Sequence, residues 1–351
     1  MKPEDLVRPE ILALKAYHVP PAEGTVKLDA MENPYSLPEK LRGELAGVLA
    51  RVELNRYPDP GGRALRALIA RKMSVPAGME VLLGNGSDEL LQIIVTAIAR
   101  PGTAVMFPAP TFVMYSMYAA FTGARAVAVP LREDFSLDAG AFIARMRHEK
   151  PAIVFVAYPN NPTGVLYPEQ DVLAILKAAE GLVVLDEAYH AFARKTFMTR
   201  LAEFPNLVVL RTVSKLGLAG IRLGYLAGRR EWLEQFDKVR SPYNVNVLTQ
   251  AAALFLLERL DVLEEQAARI VSERRSLGEN LKALRGVTVF PSEANFFLIR
   301  VPDADRAFES LKRQGVLVKN LNSPALKNCL RVTVGTPEEN RILLNAMKEA
   351  L

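Results

Sequence analysis

The chain has 351 residues, half of them hydrophobic, enough to bury a large core and to divide into two domains. Its formal net charge of +5 is spread along the sequence, with no basic arm or block. That argues against a nucleic-acid binder and suits small anionic ligands, which need only a few local cations. One cysteine, Cys329, excludes an intramolecular disulfide, and three scattered histidines offer no metal-ligand cluster. No apolar run approaches the length of a membrane span, and the opening M-K-P-E-D-L-V-R-P-E lacks the apolar core of a signal peptide. A cytoplasmic protein with no membrane attachment is expected.

In chain order, the stretch to about Arg51 carries too few strand-like runs to stand alone. From Val81 the chain alternates short β-rich runs with helical patterns. Val81–Leu83, Ala104–Phe107, Ala126–Val129, Ile153–Ala157, Leu182–Leu185 and Val208–Leu210 read as buried strands, with helices such as Glu89–Ala99 and Glu169–Ala179 between them. This alternation predicts a mostly parallel sheet covered by helices on both faces. Ile221–Ala227 reads as a further strand, the odd one out in direction. After Asn244 the pattern changes. Leu248–Leu260 and Val262–Leu284 carry apolar residues at helical spacing. Val287–Phe290, Phe296–Val301, Val316–Lys319 and Leu330–Val334 then read as strands of a smaller α+β unit, closed by a helix from about Pro337. The expected division is a large domain over 52–245 and a small discontinuous one from 1–51 and 246–351. Such a body binds its ligand at the carboxyl ends of the parallel strands, near the domain junction.

Three segments carry the chemistry, each following an apolar, strand-like run. They are Y158-P-N-N-P-T-G164, V184-L-D-E-A-Y189 and R211-T-V-S-K-L-G-L-A-G-I-R222. Together they resemble the fold-type I pyridoxal-phosphate (PLP) aminotransferases, and within them the histidinol-phosphate aminotransferases. The likeness extends over nearly the whole chain, in order. It implies an α/β fold in which a large domain with a mixed, mostly parallel sheet sits beside a smaller α+β domain.

The resemblance also assigns roles. Lys215 would bond the cofactor's aldehyde carbon and serve as general base and acid. A carboxylate such as Asp186, placed after four apolar residues, is costly without a charged partner. It would keep the cofactor's pyridine nitrogen protonated, though an aspartate there also suits a helix cap. Tyr189 and Asn161 would meet the ring hydroxyl, and Phe112 the ring face; a packed aromatic or a plain turn are the alternatives. For the phosphate, L83-G-N-G-S-D-E89 follows a strand and opens a helix, which offers the backbone N–H groups of Gly86, Ser87 and Asp88. Asp88 itself is expected to cap that helix. Thr212 and Ser214 add hydroxyls and Arg222 a bidentate cation. Commoner family versions carry one more residue between the lysine and the following G-L-A-G. Here K215-L-G-L-A-G220 is shorter, so the reach of Arg222 depends on a tight loop.

On the substrate side, Arg331 lies inside an alternating strand, C329-L-R-V-T-V334, and suggests an anion partner. The resemblance gives it a carboxylate in ordinary aminotransferases and a phosphate in the histidinol-phosphate branch, assisted by Lys319. Lys319 equally suits an edge-strand charge. Asn33 and Glu32, in D29-A-M-E-N-P-Y-S36, would line the substrate mouth and Tyr17 fold over it. Tyr57, in N55-R-Y-P-D-P-G61, matches the segment that reaches the neighbouring subunit's phosphate, which implies a homodimer. The implied reaction is amino transfer from L-histidinol phosphate to 2-oxoglutarate. An aromatic amino-acid aminotransferase, a threonine-phosphate decarboxylase and a PLP-binding regulatory module are the other readings. The last would carry a helix-turn-helix domain, and nothing before Lys27 is long enough for one.

Overall fold

The computed structural model describes residues 1–14 and 22–351. The first strand, β1 (Val26–Lys27), is two residues long. Seven strands follow: β2 (Met79–Asn85), β3 (Ala104–Ala109), β4 (Arg125–Pro130), β5 (Ile153–Ala157), β6 (Leu182–Asp186), β7 (Leu207–Thr212) and β8 (Leu223–Arg229). Five short ones complete the set: β9 (Thr288–Val289), β10 (Phe296–Arg300), β11 (Val316–Leu317), β12 (Lys319–Asn320) and β13 (Cys329–Thr333).

Strands β2 to β8 form one sheet in the order β2-β8-β7-β6-β5-β3-β4. All run parallel except β8, which is antiparallel to both of its neighbours. The central strands β5, β6 and β7 are buried along their whole length, as continuous Val/Ile/Leu runs require when helices cover both faces. Side chains alternate between two cores. Val154, Val156, Val183, Leu185 and Val209 join the larger one, while Ile153, Phe155, Val184, Val208 and Leu210 pack on the opposite face.

A second, antiparallel sheet has the order β12-β13-β10-β9. The N-terminal stretch joins this part of the chain, because β1 pairs in parallel with β11. The 23-residue helix Leu260–Lys282 buries Leu263, Ile270, Leu277 and Leu281 along one stripe.

Two expected strands are corrected. Val316–Lys319 is not continuous: β11 pairs with β1, and β12 pairs with β13 in the other sheet. Ile221 belongs to a short helical turn, and Arg222 adopts a left-handed conformation (φ 49°) that a strand cannot contain, so β8 begins at Leu223. No helix of the described residues is long and apolar enough to cross a membrane.

Candidate active site

Asp186 is the last residue of β6, in register with Ala157 at the end of β5 and Leu210 near the end of β7. Each of these strands therefore delivers its following turn to one edge of the sheet. β5 leads into Tyr158–Gly164, β6 into Glu187–Tyr189, and β7 into the turn that holds Ser214 and Lys215. From β2, Gly86 leads into the helix Ser87–Ile98, whose first N–H groups are the usual free donors of a helix start. A cleft enclosing about 570 Å³ of atom-free space opens at this edge. Ser87, Asp88, Phe112, Asn161, Asp186, Tyr189, Thr212, Ser214, Lys215 and Arg222 all line it.

The buried Asp186 carboxylate receives two neutral donors. Tyr115 Oη donates to Oδ2 at 2.7 Å and the Ala188 N–H to Oδ1 at 3.1 Å. Burial pushes its pKa up to about 6; the Tyr115 and Ala188 donors pull it back, and Asp88 and Glu187 add to the rise. The Ala188 donor lies in the turn before the helix His190–Ala193, whose N-cap is Tyr189, so Asp186 does not cap that helix. Lys215 is oppositely placed. Burial first, and the Arg331 charge second, lower its amine to about 8, and Nζ donates to the Ala30 carbonyl at 2.9 Å.

Around them, Thr212 Oγ1 lies 2.9 Å from Ser214 Oγ and also takes the Ser214 N–H. Arg222 does span the short loop. Its Nη2 pairs with Asp88 Oδ2 at 3.2 Å and lies 2.6 Å from where a Cβ on Gly86 would be. Gly86 has φ 82°, so glycine is needed there on two counts. Asp88 is thus an ion-pair partner rather than a cap, and the helix has Gly86 as N-cap with no side-chain bond. Phe112 meets Tyr115 edge-on at 5.7 Å. Tyr189 Oη donates to Met31 Sδ at 3.2 Å.

Arg331, buried over the Phe296 ring, donates from Nη1 to Asn161 Oδ1 at 2.7 Å and from Nη2 to the Asp29 carbonyl at 2.8 Å. Through Asn161 it contacts a residue that lines the cleft. Lys319 sits opposite Arg331 in register, on the edge strand β12. Asn33 departs from expectation. Its amide is used on the Leu216 carbonyl and Gln266 Oε1 and its oxygen on the Tyr35 N–H, so it ties the lysine loop to the long helix instead of facing the cleft. Glu32 is bound to Lys27. Tyr57 does not reach this cleft: it is 80% exposed and stacks on Tyr243 at 4.4 Å. Tyr17 lies outside the described residues.

A depressed amine, a buried carboxylate with neutral donors, and hydroxyls plus an arginine beside a helix start make a donor set that fits a phosphate-bearing pyridine aldehyde. The family model "Aminotransferase class I and II" matches residues 23–347. The chain belongs to this family. It is 58% identical to "Histidinol-phosphate aminotransferase 2" of Cupriavidus pinatubonensis, over 99% of this chain and 97% of that protein. It is 54% identical to the "Histidinol-phosphate aminotransferase" of Chromobacterium violaceum, with 98% of each chain covered. Among solved structures, histidinol-phosphate aminotransferase from Sinorhizobium meliloti in complex with pyridoxal-5'-phosphate aligns with a TM-score of 0.89 at 26% identity, over 98% of this chain and 97% of that one.

Sequence reasoning missed three features of this aminotransferase. Tyr115 donates to Asp186; its place three residues after Phe112 was the available signal. Met31 lines the cleft with φ 54°, a conformation no sequence pattern announces. Glu187 and Arg211, each adjacent in sequence to a cleft residue, form a wholly buried ion pair at 2.8 Å. Either charge alone reads as surface.

Proposed function

We propose that the chain is a PLP-dependent histidinol-phosphate aminotransferase, exchanging the amino group of L-histidinol phosphate with 2-oxoglutarate to give imidazole-acetol phosphate and L-glutamate, a step of histidine biosynthesis. The observation that carries this reading is the 58% identity, over almost the full chain, to a relative bearing that name. The cleft supplies the matching chemistry.

When bound, PLP supplies an electron sink for the carbanion left as the substrate loses its α-proton. Ser87, Thr212, Ser214, Arg222 and the N–H groups at Gly86, Ser87 and Asp88 would hold its phosphate. Asp186 would hold the pyridine nitrogen, Asn161 and Tyr189 the ring hydroxyl, and Phe112 the ring face. Lys215 Nζ, brought to about 8 by burial, is basic enough to take the α-proton and acidic enough to return it near neutral pH. Arg331, buried and charged, takes the substrate's phosphate, with Lys319 adding charge from the neighbouring strand. The Asn161–Arg331 hydrogen bond couples the two binding regions. Glu32 would line the substrate mouth.

The domains proposed are 52–245 and, together, 1–51 with 246–351; the β1–β11 pairing supports joining the last two. A homodimer accounts for Tyr57, whose exposed ring, with exposed Leu54 nearby in sequence, suits a partner's surface. Light scattering on the wild type and on Tyr57→Ala tests it.

The function is tested by titrating PLP-loaded protein with L-histidinol phosphate, L-phenylalanine and threonine phosphate while following the cofactor's absorbance. Conversion to the amine form with histidinol phosphate alone, reversed by 2-oxoglutarate, is expected. Equal conversion by phenylalanine would make it a broad aromatic aminotransferase. Loss of CO₂ from threonine phosphate would make it a decarboxylase.

A further inference from the structure

Tyr115 has no place in the reaction above, yet it makes the shortest contact to Asp186. Its ring is fully buried in the helix Met114–Phe121, stacked on Phe155 at 4.7 Å with the planes 7° apart and met edge-on by Phe112 and, at a tilt, by Phe107. Among the described residues, the hydroxyl is the rotatable donor on the carboxylate, and the other donor is the fixed N–H of Ala188. We propose that Tyr115 is a positioning residue that keeps Asp186 ionised and aimed into the cleft, so that the enzyme retains its cofactor at neutral pH.

The argument follows from placement. Asp186 is buried at the end of a strand whose other four residues are apolar, and the groups facing it from the surrounding elements mostly oppose its charge. Asp88, from the helix after β2, and Glu187, its own neighbour, are both anions that raise its pKa. Tyr167 and Tyr189, the other groups that act electrostatically on Tyr115, carry no positive charge that could offset these anions. Lys215 and Arg222 line the same cleft but neither forms an ion pair with Asp186 in the described structure. The Tyr115 hydroxyl is the largest influence that favours the ionised form. Burial and the adjacent carboxylate push the phenol's own pKa well above 10, so it donates at every working pH and never competes for the charge.

This rests on the proposed cofactor for its consequence, but the coupling itself is read without one. In cofactor-free protein, pH-difference infrared spectroscopy follows the protonated carboxyl band, assigned by its loss in Asp186→Asn. Tyr115→Phe keeps the ring stack and removes only the donor. Hydrogen bonds to charged groups correspond to a pKa change of about one to two, so the Asp186 midpoint should rise by at least about one. PLP half-saturation at neutral pH should weaken about tenfold and recover at higher pH. Incorporating fluorotyrosine at Tyr115, a stronger donor, should move the midpoint down. Phe155→Leu is the control: it loosens packing and lowers the melting temperature without moving the midpoint. An unmoved midpoint in Tyr115→Phe, or an equal shift in Phe155→Leu, would overturn the proposal. A wild-type chain that shows the carboxyl coupling but takes up no PLP would instead overturn the functional reading.

Discussion

Replacing Glu187 by alanine should be among the most destabilising single changes in the molecule. Glu187 is 0% and Arg211 4% exposed. The carboxylate accepts from Arg211 Nε at 3.0 Å and Nη2 at 2.8 Å, from Thr196 Oγ1 at 2.7 Å and from the Phe197 N–H at 2.6 Å. Among the described residues, Arg211 retains the Thr196 and Tyr225 hydroxyls once that partner is gone. Leaving one member of a buried pair charged and uncompensated costs about 3–5 kcal/mol. With an unfolding entropy of roughly 2.1 cal/mol/K per residue over the 351 residues, that is a fall in melting temperature of about 4–7 °C. The assay is urea and thermal unfolding of cofactor-free protein, which avoids stabilisation by bound ligand. The double variant Glu187→Ala/Arg211→Met should recover most of the loss, because an apolar replacement removes the unpaired charge as well. A single variant that loses less than about 1 kcal/mol, or a double variant no better than the single, would refute the reasoning.

Three further outcomes are expected. Asp186→Asn should abolish turnover yet stabilise the cofactor-free protein by up to about 3 kcal/mol at neutral pH, since that is what moving a carboxyl from 3.8 to about 6 costs the charged folded state. The sign follows from proton binding. Between those values the folded state holds a proton the unfolded state has released, so wild-type stability should fall as pH rises through this window, and the variant's should not. Arg331→Lys keeps the charge and loses the fork; KM for histidinol phosphate should rise about 10- to 100-fold in steady-state assays, with kcat less affected. Gly86→Ala places a Cβ 2.6 Å from Arg222 Nη2 at φ 82°, and should weaken PLP binding about tenfold by equilibrium dialysis while leaving KM for the amino donor nearly unchanged.

The strands of the large sheet were legible because each is an apolar run with turn residues after it, and burial on both faces leaves no other pattern. The direction of β8 was legible too. Its start was not, because the left-handed Arg222 depends on the loop that must close back onto Gly86. Lys215, Asp186, Asn161, Thr212 and Ser214 each end or follow such a run, and the structure brings them to one cleft. Asn33 looked equally polar and equally near a motif, yet its amide serves the Leu216 carbonyl and Gln266, 233 positions away. Partnerships of that kind, like Glu187 with Arg211 and Tyr115 with Asp186, join distant positions through packing. Apart from the spacing of Tyr115 from Phe112, a single sequence holds no local trace of them.

Because β8 runs against its neighbours, the chain leaves β7 and re-enters the sheet at the same edge, with the Lys215 amine near one end of that return and the Arg222 guanidinium at the other. Seven positions separate Lys215 from Arg222. The two therefore cannot be placed separately: a residue gained or lost in this return shifts Lys215 and Arg222 together. Arg331, the residue proposed to take the substrate's phosphate, is mounted elsewhere, on β13 of the other sheet. On the proposed roles, selectivity would be free to drift while Lys215 and Arg222 stay in step with each other.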